Sequence, residues 1–95
     1  MNYVVIGRDH ESKGPERRQE HRAAHLEGAK KLKEEGKLLY AVALVEGGQM
    51  KGSVMVFDFP TKEEFMDWKA HEPYITGGVW DSVEVSECAV APIFQ

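Results

Sequence analysis

The strongest constraint on this chain is the order of its segments. Four stretches with strand composition and two with helical composition follow one another as β-α-β-β-α-β. Asn2–Arg8 (NYVVIGR) is β-branched and aromatic, which suits a pleated, half-buried surface. Asp9–Gly14 is polar and loop-like. Pro15 fits the first turn of a helix, where its missing N–H costs nothing. Good helix formers run from Glu16 to Glu35 and stop at Gly36, a residue that takes the left-handed helix end without steric cost. Leu38–Val45 (LLYAVALV) reads as a second strand. Glu46–Gly47–Gly48–Gln49 reads as a hairpin turn, and Met50–Phe59 (MKGSVMVFDF) as a third strand closed by Pro60. Thr61 followed by Glu64 is a capping-box pattern that opens a second helix reaching Ala70. His71–Gly78 (HEPYITGG) reads as a short helical turn with a glycine exit, and Val79–Ala91 as a long fourth strand ended by Pro92. The expected fold is α+β and ferredoxin-like: a four-stranded antiparallel sheet with both helices on one face.

The 95 residues suit a single domain spanning 1–95, without repeats, linkers or low-complexity segments. A chain this short buries only about 60–65% of the surface its unfolded form exposes, so its core is thin. Two helices cover one sheet face, and the other should then alternate to polar if it meets water. It does not. Met55, Phe57 and Phe59 point one way in the third strand, while Val54 and Val56 point the other. Tyr3 and Val5 oppose Val4 and Ile6 in the first, and the second strand is apolar on both sides. An uncovered apolar face of this kind predicts a homodimer packed sheet to sheet.

The formal charge of −4 and the lack of a basic patch argue against nucleic acid as a partner. The stretch from Lys30 to Lys37 is diluted by Glu34 and Glu35 and reads as a solvated helix face. Cys88 is the one cysteine, so no intrachain disulfide forms. With no basic neighbour it reads as a small packed side chain rather than a nucleophile. No apolar run approaches the roughly 20 residues of a membrane helix, and the N-terminus opens as a strand without a signal-peptide pattern. The expectation is a cytoplasmic protein that does not engage a membrane. Gly47–Gly48 and Gly77–Gly78 read as turns rather than phosphate loops, and nothing points to haem, flavin or nicotinamide, so no cofactor is expected.

On the first helix, Arg18, Arg22, His25, Ala29 and Leu32 share one face. Ala29 and Leu32 are what a sheet-packing stripe requires. The other half, Arg18, Arg22 and His25, is cationic, and burying such groups unpaired costs several kcal/mol. Either an anion lies beneath them, from a carboxylate of the chain or a bound ligand, or the arginines reach out to solvent and His25 makes a single backbone hydrogen bond. His21 and His25 also have the i, i+4 spacing of helical zinc ligands. The intervening Arg-Ala-Ala lacks the glutamate of zinc proteases and His21 lies off the stripe, so no metal is expected.

Several motifs together give the chain a family resemblance. They are Tyr3 in the opening strand; Arg22-Ala-Ala-His25-Leu26; Gly36-Lys-Leu-Leu39; Gly52-Ser53; Glu72-Pro73-Tyr74; Gly77-Gly78-Val79-Trp80; and Pro92-Ile93-Phe94. In order and spacing the chain resembles the YCII family (YciI-like proteins) over nearly its whole length. The resemblance implies a dimeric α+β barrel and an active site built on a His–Asp pair. The matching positions are His25 and Glu72, with glutamate standing where the family pattern has aspartate. Glutamate is one methylene longer but still able to orient an imidazole. Some YCII relatives are associated with chloromuconolactone dehalogenation, and muconolactone isomerases share the barrel fold. The chemistry implied is cofactor-free proton transfer next to a carbonyl, of isomerase, lyase or dehalogenase type. His25 and Glu72 would be its catalytic pair, with Arg22, Ser53 and Tyr74 binding a small-molecule substrate. The alternative is a non-catalytic dimeric domain that binds a small ligand or accompanies another protein. Read from the residues alone, Glu72 serves equally as the cap of a short helix starting at Pro73. By the same reading Ser53 is an ordinary strand residue and Tyr74 is first of all pocket wall.

Overall fold

The computed structural model describes residues 1–94. Strand β1 is Asn2–Asp9, helix α1 Gly14–Glu34, β2 Leu38–Glu46 and β3 Gln49–Asp58. Helix α2 is Lys62–His71, the one-turn α3 is Pro73–Thr76, and β4 is Trp80–Cys88, followed by a 3-10 turn at Pro92–Phe94. The strands form one antiparallel sheet in the order β2-β3-β1-β4, so the chain has the ferredoxin-like α+β fold expected from its segment order. Most boundaries shift by one or two residues from the expectation, and two shifts bear on the site and the sheet. β1 continues through Asp9, which had read as loop. β4 stops at Cys88 rather than Ala91, and beyond it the Val90 N–H donates to the Asn2 side chain at 3.0 Å. Among the described residues no helix is long and apolar enough to cross a membrane.

Local chemistry sets the joints. The β2–β3 hairpin turns on Gly47 and Gly48, with φ of 58° and 78°, the doubly positive pair that matches strand twist. Thr61 caps α2 by accepting from the Glu64 N–H at 3.1 Å, as the capping box predicts.

Strand alternation sends Tyr3, Val5, Met55 and Phe57 to the helical face, where all are buried. Under α2 that face is aromatic. Tyr3 stacks on Phe65 with centroids 4.1 Å apart, and Phe57 meets Trp68 at 4.4 Å. Each such side chain contributes roughly 1.5–3 kcal/mol by leaving water. Helix α1 behaves differently. Ala29 and Leu32 pack against the core as the stripe requires, yet among all its side chains only that of His25 is buried. The N-terminal half of α1 is held by polar contacts, and these build the candidate site. Gly7 contributes by having no side chain, since a Cβ there would lie 2.2 Å from the Trp80 ring, which packs flat on the β1 backbone.

Candidate functional site

Glu72 lies between α2 and α3. Pro73 disfavours helical geometry in the residue before it, and Glu72 accordingly has φ −66° and ψ 122°, which ends α2 and turns its carboxylate back toward α1. There its Oε1 accepts a hydrogen bond from His25 Nδ1. Both residues are buried, at 8% and 4% exposure. The same oxygen accepts from the Tyr74 N–H at 3.1 Å and so caps α3. Helix cap and imidazole partner are therefore one atom. With the carboxylate as acceptor, Nδ1 carries the proton and Nε2 keeps its lone pair.

The imidazole sits in an aromatic bracket. Tyr74 stacks on it with centroids 3.8 Å apart and planes within 6°, and the Trp80 ring stands edge-on to both, at 5.9 Å and 5.6 Å. Burial pushes the Tyr74 hydroxyl above the ordinary phenol range, and the nearby Arg18 and Arg22 charges pull against that rise.

Two turns toward the helix start, Arg18 grips Asp9 with Nε and Nη2, and both side chains are largely buried. Nη2 also donates to the Gly52 carbonyl at 2.9 Å and to Ser53 Oγ at 3.0 Å. The anion beneath the cationic stripe is thus two carboxylates of the chain, Asp9 under Arg18 and Glu72 under His25. Arg17 Nη1 donates to the Gly78 carbonyl at 2.9 Å. The His21 ring packs against Gly77 so closely that a Cβ on the glycine would sit 2.4 Å from it. These contacts pin the Gly77–Gly78 turn to α1 and hold Glu72 and Tyr74 in place.

A pocket of about 200 Å³ opens between α1, β2 and β3, lined by Arg18, Arg22, His25, Ser53, Tyr74 and Met55 among others. Of the residues the sequence assigned, His25, Arg22, Ser53 and Tyr74 all line it. Arg22 is exposed, and Glu72 stands behind His25. His21 is outside the lining, and among the described residues no group of three or more His, Cys, Asp or Glu is placed to hold a metal ion. Sequence reasoning missed Asp9 and left Arg18 without a role. The signal was present. Asp9 shares the alternation of Tyr3, Val5 and Gly7 toward the helices, and the stripe called for an anion.

Comparison with known proteins bears on what this arrangement belongs to. No curated protein matches the sequence. Among solved structures the fold is similar to 5-chloro-2-hydroxyhydroquinone dehydrochlorinase from Burkholderia phenoliruptrix, determined in complex with 2,5-dihydroxybenzoquinone, with a TM-score of 0.82 at 18% identity over 96% of both chains. It is also similar to an uncharacterized NIPSNAP domain protein from Burkholderia xenovorans, with a TM-score of 0.57 at 14% identity over 96% of this chain and 94% of that one. A protein described as an antibiotic biosynthesis monooxygenase from Chloroflexus aurantiacus gives a TM-score of 0.51 at 16% identity over 96% of both chains. At these identities the likeness is one of fold. The sequence itself is more specific: the YCII-related domain matches residues 1–89, and the chain belongs to that family.

Proposed function

We propose that this protein is a small-molecule enzyme that moves a proton next to a carbonyl without a cofactor, with His25 as base and Glu72 as its partner. The observation that carries the reading is the buried His25–Glu72 pair on the wall of a pocket that also presents Arg22, Ser53 and Tyr74. Glu72 fixes the tautomer, so Nε2 is the nitrogen that accepts the substrate proton. The carboxylate then balances the imidazolium that forms. Arg22 supplies an exposed cation for a substrate carboxylate or enolate, and Ser53 and Tyr74 supply hydroxyls.

Taking a proton from carbon leaves an electron pair that forms a double bond. If a halide departs from the adjacent carbon the outcome is dehydrohalogenation. If the proton returns at another carbon it is isomerisation. The dehydrochlorinase of like fold supports the first outcome by analogy. The test is a panel of lactones, halolactones and a chlorinated hydroxyhydroquinone. Turnover should fall about a hundredfold or more in His25→Ala, the usual contribution of a positioned base. Ligand binding without turnover on the whole panel would favour the non-catalytic reading.

We also propose that the protein is a homodimer through its open sheet face. Val4, Ile6, Val54 and Val56 are only half-buried there. Beside them Tyr40 is 69% exposed and Val42 44% exposed. A face of this character is an interaction surface by default, and a second copy offers the matching surface. Light scattering at micromolar concentration should give twice the chain mass of 10.7 kDa. A monomer there would reject the dimer.

A further inference from the structure

Strand β2 inverts the pattern usual for a strand beneath a helix. Its larger side chains, Tyr40, Val42 and Leu44, pair with Val56, Val54 and Gly52 on the open face. Its smallest, Ala41 and Ala43, lie opposite Met55 and Ser53 and so face the helical side with them. Met55 and Ser53 are buried there, at 2% and 7% exposure, whereas both alanines are exposed. A strand position on the helical side favours a branched or aromatic side chain, by propensity and by the contacts it gains. Alanine at two successive such positions leaves a gap between α1 and β2 instead, and the pocket of about 200 Å³ occupies that gap. Its two walls differ in kind. The helices present Arg22, His25 and Tyr74, while the sheet presents the Ala41 and Ala43 methyl groups beside Met55.

We infer that Ala41 and Ala43 are specificity-determining residues of this pocket: they form an apolar wall that admits a single-ring anion and turns away ligands that are polar at both ends. The inference rests on the small-molecule reading above and names the ligand class that the β2 wall selects. Size comes first. A closed apolar cavity of about 150 Å³ holds one benzene ring, so a pocket of about 200 Å³ takes one ring with a small substituent. Polarity comes second. Arg18 already holds Asp9, so exposed Arg22 is the cation available to a ligand carboxylate. A ring anchored there by its carboxylate turns its far edge toward β2, where the two methyl groups offer dispersion contact and no hydrogen bond. A charge on that edge gives up water without gaining a partner. Carbon added at either alanine takes its room from the ring, because both residues line the wall that the ring must meet.

Three carboxylates test this by NMR titration of the whole chain: benzoate, acetate and terephthalate. Benzoate should bind. Acetate, which lacks the ring and its apolar area, should bind about tenfold or more weakly. Terephthalate, which carries a second carboxylate on the far edge, should also lose about tenfold or more. Ala41→Ile and Ala43→Ile should each weaken benzoate about tenfold or more by taking the ring's place. Neither should lower the thermal midpoint, since apolar carbon added to an open gap on a strand does not destabilise. A change that merely loosened the fold would lower that midpoint together with the affinity. No benzoate binding by the unaltered protein, acetate or terephthalate bound as tightly as benzoate, or benzoate affinity unchanged in both isoleucine variants would each overturn the assignment. The comparison of the three carboxylates uses the unaltered protein, so it decides the matter even where a variant folds poorly. Benzoate has no proton on the carbon beside its carboxylate for His25 to remove. Its binding therefore reads the wall alone, and failure here is separate from failure of the His25→Ala turnover test.

Discussion

Glu72→Ala is expected to destabilise the protein by about 2–4 kcal/mol, and Glu72→Gln by less than half as much. The alanine removes one oxygen that serves two donors. His25 Nδ1 is left buried without an acceptor, a cost of roughly 1–3 kcal/mol, and α3 loses its cap, roughly 1 kcal/mol more. Glutamine retains an oxygen within reach of both N–H groups and forfeits only the charge. The charge shows instead in turnover: Glu72→Gln leaves the imidazolium formed during proton transfer without its counter-charge, so turnover should fall about tenfold or more while the fold is retained. Unchanged turnover in Glu72→Gln, or equal stability losses for alanine and glutamine, would remove the pair as a functional unit. Thermal or urea unfolding reports mainly on the cap and the burial of His25, and turnover reports on the partnership.

How much of this was legible beforehand depends on the range of each contact. The order of elements was readable because period-two and helical patterning are local properties, and the Gly47–Gly48 turn and the Thr61 cap are set by neighbours two or three residues away. The stripe of Arg18, Arg22 and His25 was readable for the same reason. What lies beneath it was not, since His25 and Glu72 are 47 positions apart and Arg18 and Ser53 are 35 apart. The family resemblance supplied Glu72. It supplied nothing for Asp9, which sits where β1 shifts register between Arg8 and Asp9 against β4 and where polar residues imitate a loop. The position of α3 is equally non-local. Arg17 and His21 fix it by gripping backbone at Gly77 and Gly78, and no side-chain pattern in the sequence announces a contact made to backbone.

Arg18→Met should be the most damaging single change in the site, costing about 3–5 kcal/mol, because it strips the partner from a carboxylate that is only 3% exposed. Methionine keeps much of the arginine stem's apolar contact, so the loss reports on charge rather than volume. Adding Asp9→Asn should restore most of the stability, since a buried pair replaced by neutral groups is often tolerated. Urea unfolding of the three proteins measures all of this. A loss below about 1 kcal/mol, the range of exposed ion pairs, would mean that water reaches Asp9 and that Arg18 is not locked. A guanidinium free to swing between Asp9 and solvent could not hold Ser53 Oγ in a fixed direction, so the lock on this wall of the pocket is testable without any substrate.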